Sequence, residues 1–465
     1  MIIKNIHEIQ EKNYGTKANN VIEMYHAGIV VPKSWVISHN YIVEKMEEYL
    51  GISLDSKEID RCVVENFFKN FPMDLYNEIY IEVINLINSC ENGTRFVVRS
   101  SHLIEDGKEY SFSGLFTTEL NLSKAVNIVE AIISCWMNCF CEGINQYLDI
   151  SNNKKFFMPC AILIQEFIPS ESAGVMFKIG SNYYINSTWG MAKSIVDGST
   201  GFDSWAINDS GEVTGYQNSK DFVTVPVFAL TNPSSREYFL SFVSDEQLKV
   251  EEFNNLNNYV QVELSALLKK EQSLNSQQRN ELLEVCTKLS EMLRISDCDI
   301  EWACSKGQLY ILQCRSITRT IIDNSKTTNA FLPLVGGIAQ GKCIYVETEN
   351  EAKSFPKGAI LVAKRIVGPV LLAATKASGC ILESKSPLSH SAIIARELGI
   401  PAVGAVDPQL LEMGEEYEID GEKGTIVKIR KSVLKNSQVC EERVAYDADN
   451  PNVRILKKFI QKYML

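Results

Sequence analysis

The sequence has no apolar run long enough to cross a bilayer. Its longest uninterrupted apolar stretches, such as residues 161–164 and 359–363, are the size of strands. A spanning helix needs roughly 18 or more apolar residues. The N-terminal stretch MIIKNIHEIQEKNYG also lacks the apolar core of a secretory signal. We therefore expect a soluble cytoplasmic protein with no membrane partner.

Paired cysteine spacing is missing as well. The chain has 13 cysteines, an odd number, and none of them form a CxxC pair. Cys135, Cys139 and Cys141 cluster on a predicted helix, but no histidine lies near them. We expect reduced, buried thiols, and the alternative is a metal site at these three cysteines.

An excess of positive charge is absent too. The 46 Lys and Arg residues against 58 Asp and Glu residues give a net charge of −12, spread along the chain. Such a surface repels phosphodiester backbones, so we expect no nucleic-acid partner. The hydrophobic fraction of 45% excludes a disordered chain, since a chain of this composition can bury a core.

The chain divides in the sequence at a polar stretch without periodicity, residues 318–329. The 465 residues correspond to about three domains. We predict an α/β (α+β) fold with a large N-terminal domain over 1–320, a linker over 321–332, a small α/β domain over 333–430 and a helical tail over 431–465. The predicted elements are helices at 19–27, 127–147, 452–463 and through most of 237–294, and strands at 96–98, 160–165, 173–178, 183–187, 299–303, 308–314, 359–364, 379–382 and 425–429.

The sharpest local motif surrounds His390. Ser389 is a good N-cap and Gly399 a good helix end, so His390 falls in the first turn of a predicted helix. The free N–H groups and positive dipole of that turn favour an attached anion and keep an imidazole neutral and nucleophilic. A histidine that carries a phosphoryl group needs both properties. The alternative is a solvated histidine at a helix end.

A second motif is the predicted hairpin formed by Asp299-Ile-Glu-Trp-Ala and Leu309-Tyr-Ile-Leu-Gln-Cys-Arg. A three-residue loop, Ser305-Lys306-Gly307, would pair Glu301 with Ile311, so that Glu301, Gln313 and Arg315 share one face. A two-residue loop would put Gln313 on the other face. We predict the three-residue loop, and with it oxygen ligands for Mg²⁺ and a guanidinium for phosphate. The alternative is a solvated polar face.

Three weaker motifs have ordinary alternatives. Arg99-Ser-Ser followed by Ser111-Phe-Ser-Gly resembles a phosphate-wrapping turn or a plain hairpin. Gly15-Thr-Lys17 precedes a predicted helix, and one lysine beside a glycine is common. Gln165-Glu166 ends a buried strand, where backbone groups could read an adenine edge or simply end the strand.

Taken in order, these segments resemble the dikinases: pyruvate phosphate dikinase, phosphoenolpyruvate synthase and rifampin phosphotransferase. The stretch Leu388-Ser-His-Ser-Ala-Ile-Ile-Ala-Arg-Glu-Leu-Gly-Ile-Pro-Ala-Val-Gly404 is similar to their mobile phosphohistidine domain. The segments that resemble their ATP-grasp domain are Gly15-Thr-Lys-Ala, Gly28-Ile-Val-Val-Pro, Val98-Arg-Ser-Ser, Glu105-Asp106, Ser111-Phe-Ser-Gly, Gln165-Glu166, Gly174-Val-Met-Phe, Asp299-Ile-Glu-Trp-Ala and Leu312-Gln-Cys-Arg-Ser-Ile-Thr.

The resemblance implies a role for each matching residue. Lys17 and Arg99 would contact the phosphates of ATP, and Gln165-Glu166 would hold its adenine. Glu301 and Gln313 would bind Mg²⁺, with Arg315 on the terminal phosphates. His390 would attack the β-phosphorus, giving AMP and a pyrophosphoryl-histidine. After loss of the γ-phosphoryl group to water or phosphate, the phosphohistidine would serve an acceptor, and residues 318–329 would hinge the swivelling domain.

The sequence departs from the family pattern in three places. Gly190-Met-Ala-Lys193 replaces a typical Gly-Leu-Gly-Glu, which leaves the number of metal ions and the affinity for ATP open. Gly15-Thr-Lys replaces Gly-Gly-Lys. No phosphoenolpyruvate-binding barrel of ~250 residues fits in the about 35 residues after Arg430.

The sequence thus predicts an ATP-dependent phosphotransferase that acts through His390 on a small-molecule acceptor. One alternative is a split system, in which a separate protein supplies the acceptor site. A second alternative is a non-catalytic nucleotide sensor, which Lys193 favours and the intact His390, Glu301, Gln313 and Arg315 argue against.

Overall fold

The computed structural model describes residues 2–10, 13–51, 61–102, 118–139, 160–192, 195, 202–208, 210–216, 220–226, 259–316, 331–366, 370–384, 389–432 and 440–445. These residues form two compact units, one before residue 318 and one after it. Among them, no helix combines the length and apolar character needed to span a membrane.

The helices are short to medium in length and occur in both units. They are α1 Gly15–His26, α2 His39–Leu50, α3 Arg61–Lys69, α4 Met73–Asn88, α5 Ala125–Asn138, α6 Ser276–Leu293, α7 Glu349–Ser354, α8 Val370–Ala374 and α9 His390–Leu398.

The strands of the first unit are β1 Lys4–Asn5, β2 Ser34–Ile37, β3 Phe96–Ser101, β4 Thr118–Leu122, β5 Ala161–Glu166, β6 Ser172–Ile179, β7 Asn182–Trp189, β8 Asp203–Ile207, β9 Val213–Tyr216, β10 Phe222–Pro226, β11 Tyr259–Glu263, β12 Cys298–Ser305 and β13 Gln308–Ser316. The strands of the second unit are β14 Leu332–Val335, β15 Ile338–Tyr345, β16 Ile360–Ala363, β17 Gly379–Leu382, β18 Ala402–Gly404, β19 Glu416–Asp420, β20 Thr425–Ser432 and β21 Cys440–Ala445.

Two sheets position the residues of interest in the first unit. One has the strand order β1-β2-β5-β3-β4, and the other has the order β13-β12-β6-β7-β8-β9. A shared core joins them through α1, with Val21 of the helix, Leu163 of the first sheet and Ile300 of the second in one buried cluster. Burial of such side chains is the main term that holds the two sheets together.

The second unit is built on a mixed sheet with the order β14-β18-β17-β16-β15-β19-β20-β21. Strands β15 to β18 pair in parallel at its centre. Apolar side chains from these strands are buried on both faces: Leu361 belongs to one core cluster and Ile360 to the other. The two units together confirm the predicted α/β (α+β) class.

The start of α1 corrects a prediction. Gly15-Thr-Lys17 does not precede the helix but forms its first turn. The cap comes from far along the chain: Ser101 Oγ accepts from the Ala18 N–H at 2.9 Å, and the His102 carbonyl accepts from the Thr16 N–H at 3.0 Å. Because no capping side chain stands next to the helix in the sequence, its true start has no local signal.

The predicted helical stretch 237–294 is also partly wrong. Residues 259–263 are strand β11, which pairs antiparallel with β10, and among the described residues of the stretch only α6 is an α-helix. The alternating Tyr-Val-Gln-Val-Glu pattern suits a strand that has a partner. Within the predicted helical tail over 431–465, the described residues are strand, not helix: the end of β20 and all of β21. The helix predicted at 452–463, the linker up to residue 330 and the second half of the predicted 127–147 helix lie outside the described residues.

Candidate active site

The site in the first unit is centred on Arg99 of β3. In the sheet, Ser34 pairs with Gln165, and Gln165 pairs with Val97 on the other side. Because side chains alternate along a strand, Ser34, Gln165 and Arg99 lie on one face of the sheet. The Arg99 guanidinium reaches from that face to the second sheet, where Nη2 donates to Gln313 Oε1 and lies 3.8 Å from Glu301 Oε2.

The β12–β13 hairpin brings Glu301 and Gln313 together, but not through the predicted loop. Ser305 pairs with Gln308, so the turn has two residues, and Lys306 and Gly307 both have positive φ, 50° and 76°. Such a turn matches the right-handed twist of the strands. The predicted three-residue loop, and with it the pairing of Glu301 with Ile311, is therefore wrong.

A β-bulge restores the predicted face. Trp302 pairs with Ile311 and Glu301 pairs with Gln313, which leaves Leu312 as an extra residue in β13. The extra residue reverses the alternation, so Gln313 leaves the face of Ile311 and joins Glu301. The bulge also leaves the Leu312 carbonyl available to accept from Arg99 Nη1 at 3.3 Å.

Arg315 lies beside this pair and is held by an acid that the sequence analysis did not assign to the site. Its Nε and Nη2 lie 2.7 and 2.6 Å from Asp299 Oδ2, and both side chains are almost fully buried. Asp299 stands two residues before Glu301 on β12, so strand alternation alone put it on the same face. Buried charges need partners, and this acid orients the guanidinium.

Lys17 lies half-buried in the first turn of α1, which packs against the end of β3 two residues beyond Arg99. Gly15 has φ of 75°, and a Cβ there would stand 2.2 Å from the Ser101 carbonyl oxygen, so only glycine permits this approach. Asn20 Nδ2 donates to the Cys314 carbonyl at 2.8 Å and ties the same helix to β13.

Gln165 and Glu166 separate in the structure. Gln165 joins the site, since Arg99 Nη1 lies 3.4 Å from its Oε1. Glu166 takes the opposite face, where its carboxyl is half-buried. The pKa of this carboxyl is raised overall: burial is the main cause, Lys33 opposes it and Glu91 adds to it. The Glu166 N–H already donates to the Lys33 carbonyl at 2.8 Å. An adenine contact at this segment therefore has to use other backbone groups.

Glu301 and Gln313 are the two side chains predicted to bind a divalent metal ion. They pair across β12 and β13, and in this structure the guanidinium of Arg99 contacts both of them. The Glu301 side chain is 30% exposed and the others are more buried, which leaves one open side. Carboxylate and amide oxygens are the ligands that Mg²⁺ prefers. No cluster of three His, Cys, Asp or Glu side chains suited to a metal was found in the described residues.

The second unit presents His390 as the first residue of α9. Ser389 Oγ accepts from the Ala392 N–H at 3.3 Å, and Gly399 ends the helix with φ of 66°, which confirms both predicted ends. Ser391 connects this first turn to the segment after β16, because its Oγ accepts from the Ile366 N–H at 2.9 Å. His390 is thus the first residue of a capped helix, and the first turn of such a helix has backbone N–H groups that can bind an anion.

Several predicted features cannot be compared with the structure. Glu105-Asp106, the turn at 111–114 and Lys193 lie outside the described residues.

Two protein-family models match the chain, one in its N-terminal part and one in its C-terminal part. Residues 11–332 match the family model "Pyruvate phosphate dikinase, AMP/ATP-binding domain". The chain belongs to this family. Residues 355–424 match "PEP-utilising enzyme, mobile domain", a range that contains His390. This dikinase-family chain therefore has an N-terminal ATP-grasp domain followed by a small α/β domain that matches the mobile domain of PEP-utilising enzymes.

Curated relatives extend over most of the chain. It is 24% identical to a probable phosphoenolpyruvate synthase of Methanothermobacter thermautotrophicus over 94% of its length and 64% of the relative. For the probable phosphoenolpyruvate synthase of Pyrococcus horikoshii the identity is 27%, over 90% of this chain and 57% of the relative. The chain thus spans less than two thirds of the length of either relative.

A solved structure also resembles the chain distantly. D-alanine–D-alanine ligase from Bacillus anthracis aligns over 64% of this chain and 56% of its own at 8% identity, with a TM-score of 0.26. A score that low does not by itself establish a shared fold.

Proposed function

We propose that the chain is an ATP-dependent phosphotransferase that forms a pyrophosphoryl-histidine and then a phosphohistidine at His390. The observation that carries the proposal is the position of His390, at the first residue of a serine-capped helix inside the matched mobile domain. An imidazole there combines a nucleophilic ring with backbone donors for an anion.

The cationic groups of the first unit would hold the triphosphate. Phosphoryl transfer is catalysed mostly by positioning and by neutralising charge. Arg99 on β3 of the first sheet and Arg315 on β13 of the second supply two guanidinium groups, and Lys17 in the first turn of α1 supplies a third cation. Glu301 and Gln313 would hold Mg²⁺, which supplies charge neutralisation at the phosphates when bound.

The proposed reaction has three balanced steps. A ring nitrogen of His390 attacks the β-phosphorus, the new N–P bond forms, and the bond from that phosphorus to the oxygen that bridges it to the α-phosphorus breaks, so AMP leaves. Water or phosphate then takes the γ-phosphoryl group. The remaining phosphoryl group passes to an oxygen of a small acceptor, and the ring is regenerated.

Labelling with ATP that carries ³²P at the β-position tests this function. The protein alone with Mg²⁺ should acquire acid-labile label and release AMP. His390→Asn should acquire none, whereas His7→Asn, a change at an exposed histidine outside the site, should label like the wild type. Label that survives His390→Asn, or absence of label from the wild type, would contradict the proposal.

The same labelled protein identifies where the acceptor binds. Release of the label by mixed small metabolites would support a small-molecule acceptor site on this chain. Release that needs a second protein would place that site on a partner. Nucleotide binding without any label would favour a sensor in place of an enzyme.

A further inference from the structure

A series of hydrogen bonds connects Arg99 to Gln165, and Gln165 to Ser34, within the first sheet. Ser34 Oγ donates to the Pro32 carbonyl at 2.7 Å, and Gln165 Nε2 donates to Ser34 Oγ at 3.1 Å. The other atom of the amide, Gln165 Oε1, lies 3.4 Å from Arg99 Nη1. Ser34 is 1% exposed and Gln165 3%, so water does not replace these contacts readily.

The direction of this series of hydrogen bonds follows from the donors available. A hydroxyl has one hydrogen, and the Pro32 carbonyl can only accept it. Ser34 Oγ must therefore accept from Gln165, which turns the NH₂ group of the amide toward Ser34. The carbonyl oxygen then faces Arg99, whose guanidinium has only donors to offer. A reversed amide would set NH₂ against the guanidinium and leave Ser34 without a donor.

The guanidinium of Arg99 is held through both of its Nη atoms. Nη1 is shared between Gln165 Oε1 and the Leu312 carbonyl, and Nη2 is directed at Gln313. The Nε atom is buried and donates to no atom among the described residues. Fixing the two Nη atoms therefore fixes the plane and direction of the whole guanidinium, a group that suits the oxygen atoms of a phosphate.

We propose that Ser34 is a positioning residue for nucleotide binding, which acts on Arg99 by setting the orientation of the Gln165 amide. The inference rests on the proposed function, because it gives Arg99 a phosphate to bind. Ser34 touches no substrate in this scheme. Its hydroxyl determines which end of the amide faces the guanidinium.

Nucleotide affinity of Ser34 variants tests the proposal. Titration calorimetry with α,β-methylene-ATP, in which the bond that would release AMP cannot break, and Mg²⁺ gives Kd, and AMP release from ATP gives KM and kcat. Ser34→Ala should raise Kd and KM about 3- to 10-fold, the value of one buried hydrogen bond, with a smaller change in kcat. Ser34→Thr keeps the hydroxyl and should return Kd to within about 2-fold of the wild type.

Two further variants separate positioning from general packing. Ser290 is likewise buried and donates to a main-chain carbonyl, that of Cys286, on α6 away from Arg99. Ser290→Ala should leave Kd unchanged. Ser34→Ala added to Gln165→Ala should raise Kd no further than Gln165→Ala alone, because Ser34 acts through that amide. If Ser34→Ala folds poorly, Gln165→Ala alone tests the proposal, because it removes the amide through which Ser34 acts and should raise Kd at least as much.

The outcomes distinguish this inference from the proposed function. A wild type that binds no α,β-methylene-ATP would overturn both. A wild type that binds it, with Ser34→Ala binding equally well, would overturn only the role of Ser34. Effects of Ser34→Ala and Gln165→Ala that add in full would also overturn it, since Ser34 would then act by another route.

Discussion

Arg99 and Gln313 lie on different sheets, 214 positions apart in the chain, and are joined by a hydrogen bond from Nη2 to Oε1. The contact exists because β3 presents Arg99 at the end nearest α1 and because the bulge at Leu312 turns Gln313 toward it. One guanidinium thereby holds together the amide and the carboxylate that would receive a metal ion.

Replacing Arg99 should impair nucleotide-dependent activity far more than stability. Arg99→Lys keeps the charge but loses the planar fork that spans Gln165, Leu312 and Gln313. We expect kcat/KM for ATP, measured as AMP release, to fall about 100-fold, the size of effect seen when a donor to developing phosphate or oxyanion charge is removed.

Arg95→Lys is the matched control for that change. Arg95 lies just before the same strand, and its Nη1 donates to the Asn121 carbonyl at 3.1 Å, outside the cluster. The kcat/KM of the Arg95→Lys variant for ATP should stay within about 2-fold of the wild-type value. Equal losses in both variants would mean that any arginine change at this strand disturbs the unit, and the role given to Arg99 would be wrong.

The Asp299–Arg315 pair should contribute to stability as one unit. Breaking a buried ion pair from one side leaves an uncompensated charge, so Asp299→Asn and Arg315→Met should each cost about 3–5 kcal/mol. The double variant should cost less than the two single changes together. Urea unfolding followed by tryptophan fluorescence measures this, because all five tryptophans precede Ala303 and so report on the first unit.

An exposed pair supplies the comparison. Glu48 lies 3.2 Å from Lys45 on α2 with its side chain 67% exposed, so Glu48→Gln should change the unfolding midpoint little. Strictly additive effects of the Asp299 and Arg315 variants would show that the two side chains do not stabilise one another.

The outline of the fold could be predicted from the sequence because the patterns that carry it are local. Helix α9, from the Ser389 cap to the Gly399 end, is visible in a dozen residues, as is the strand at residues 379–382. Each depends on side chains next to the element itself.

The details of the site could not be predicted in the same way, because they depend on distant partners. The shared face of Glu301, Gln313 and Arg315 was predicted, but from a loop length that is wrong; the bulge at Leu312 produces the same face by another route. Nothing in β13 itself marks that bulge. Similarly, the cap of α1 comes from Ser101, 83 positions away from Ala18.

The hairpin turn should be open to stabilisation. Lys306 adopts φ of 50°, a conformation that a residue with a side chain reaches only at a cost. Lys306→Asn should raise the free energy of unfolding by about 0.5–1 kcal/mol, since asparagine before glycine suits this turn. The measurement is again urea unfolding by tryptophan fluorescence, with nucleotide binding expected to be unchanged.

Gly307→Ala should have the opposite effect. Gly307 has φ of 76°, and an added Cβ would meet no atom within 4 Å, so the expected loss of about 1 kcal/mol is purely conformational. If both variants unfold at the wild-type midpoint, the two-residue turn is not the conformation in solution.

Glu166 should make stability depend on pH in a defined direction. Burial is the main cause that raises the pKa of its carboxyl. The charge of Lys33 lowers this pKa, and the charge of Glu91 raises it further. In the unfolded chain a glutamate titrates near pH 4.3. The folded protein therefore binds the proton more tightly, and its stability falls as the pH rises through the raised pKa of the folded state.

Glu166→Gln removes that dependence and so makes the prediction testable. Because the carboxyl is only half-buried, solvent screening limits the gain at pH 7.5 to less than about 1 kcal/mol. The gain should vanish near pH 3, well below the unfolded value, where the wild-type carboxyl is protonated in both states. Urea midpoints at the two pH values measure the difference, with Glu130→Gln on the exposed face of α5 as the control. A gain of equal size at both pH values would mean that the amide packs better, and that the buried charge is not the cause.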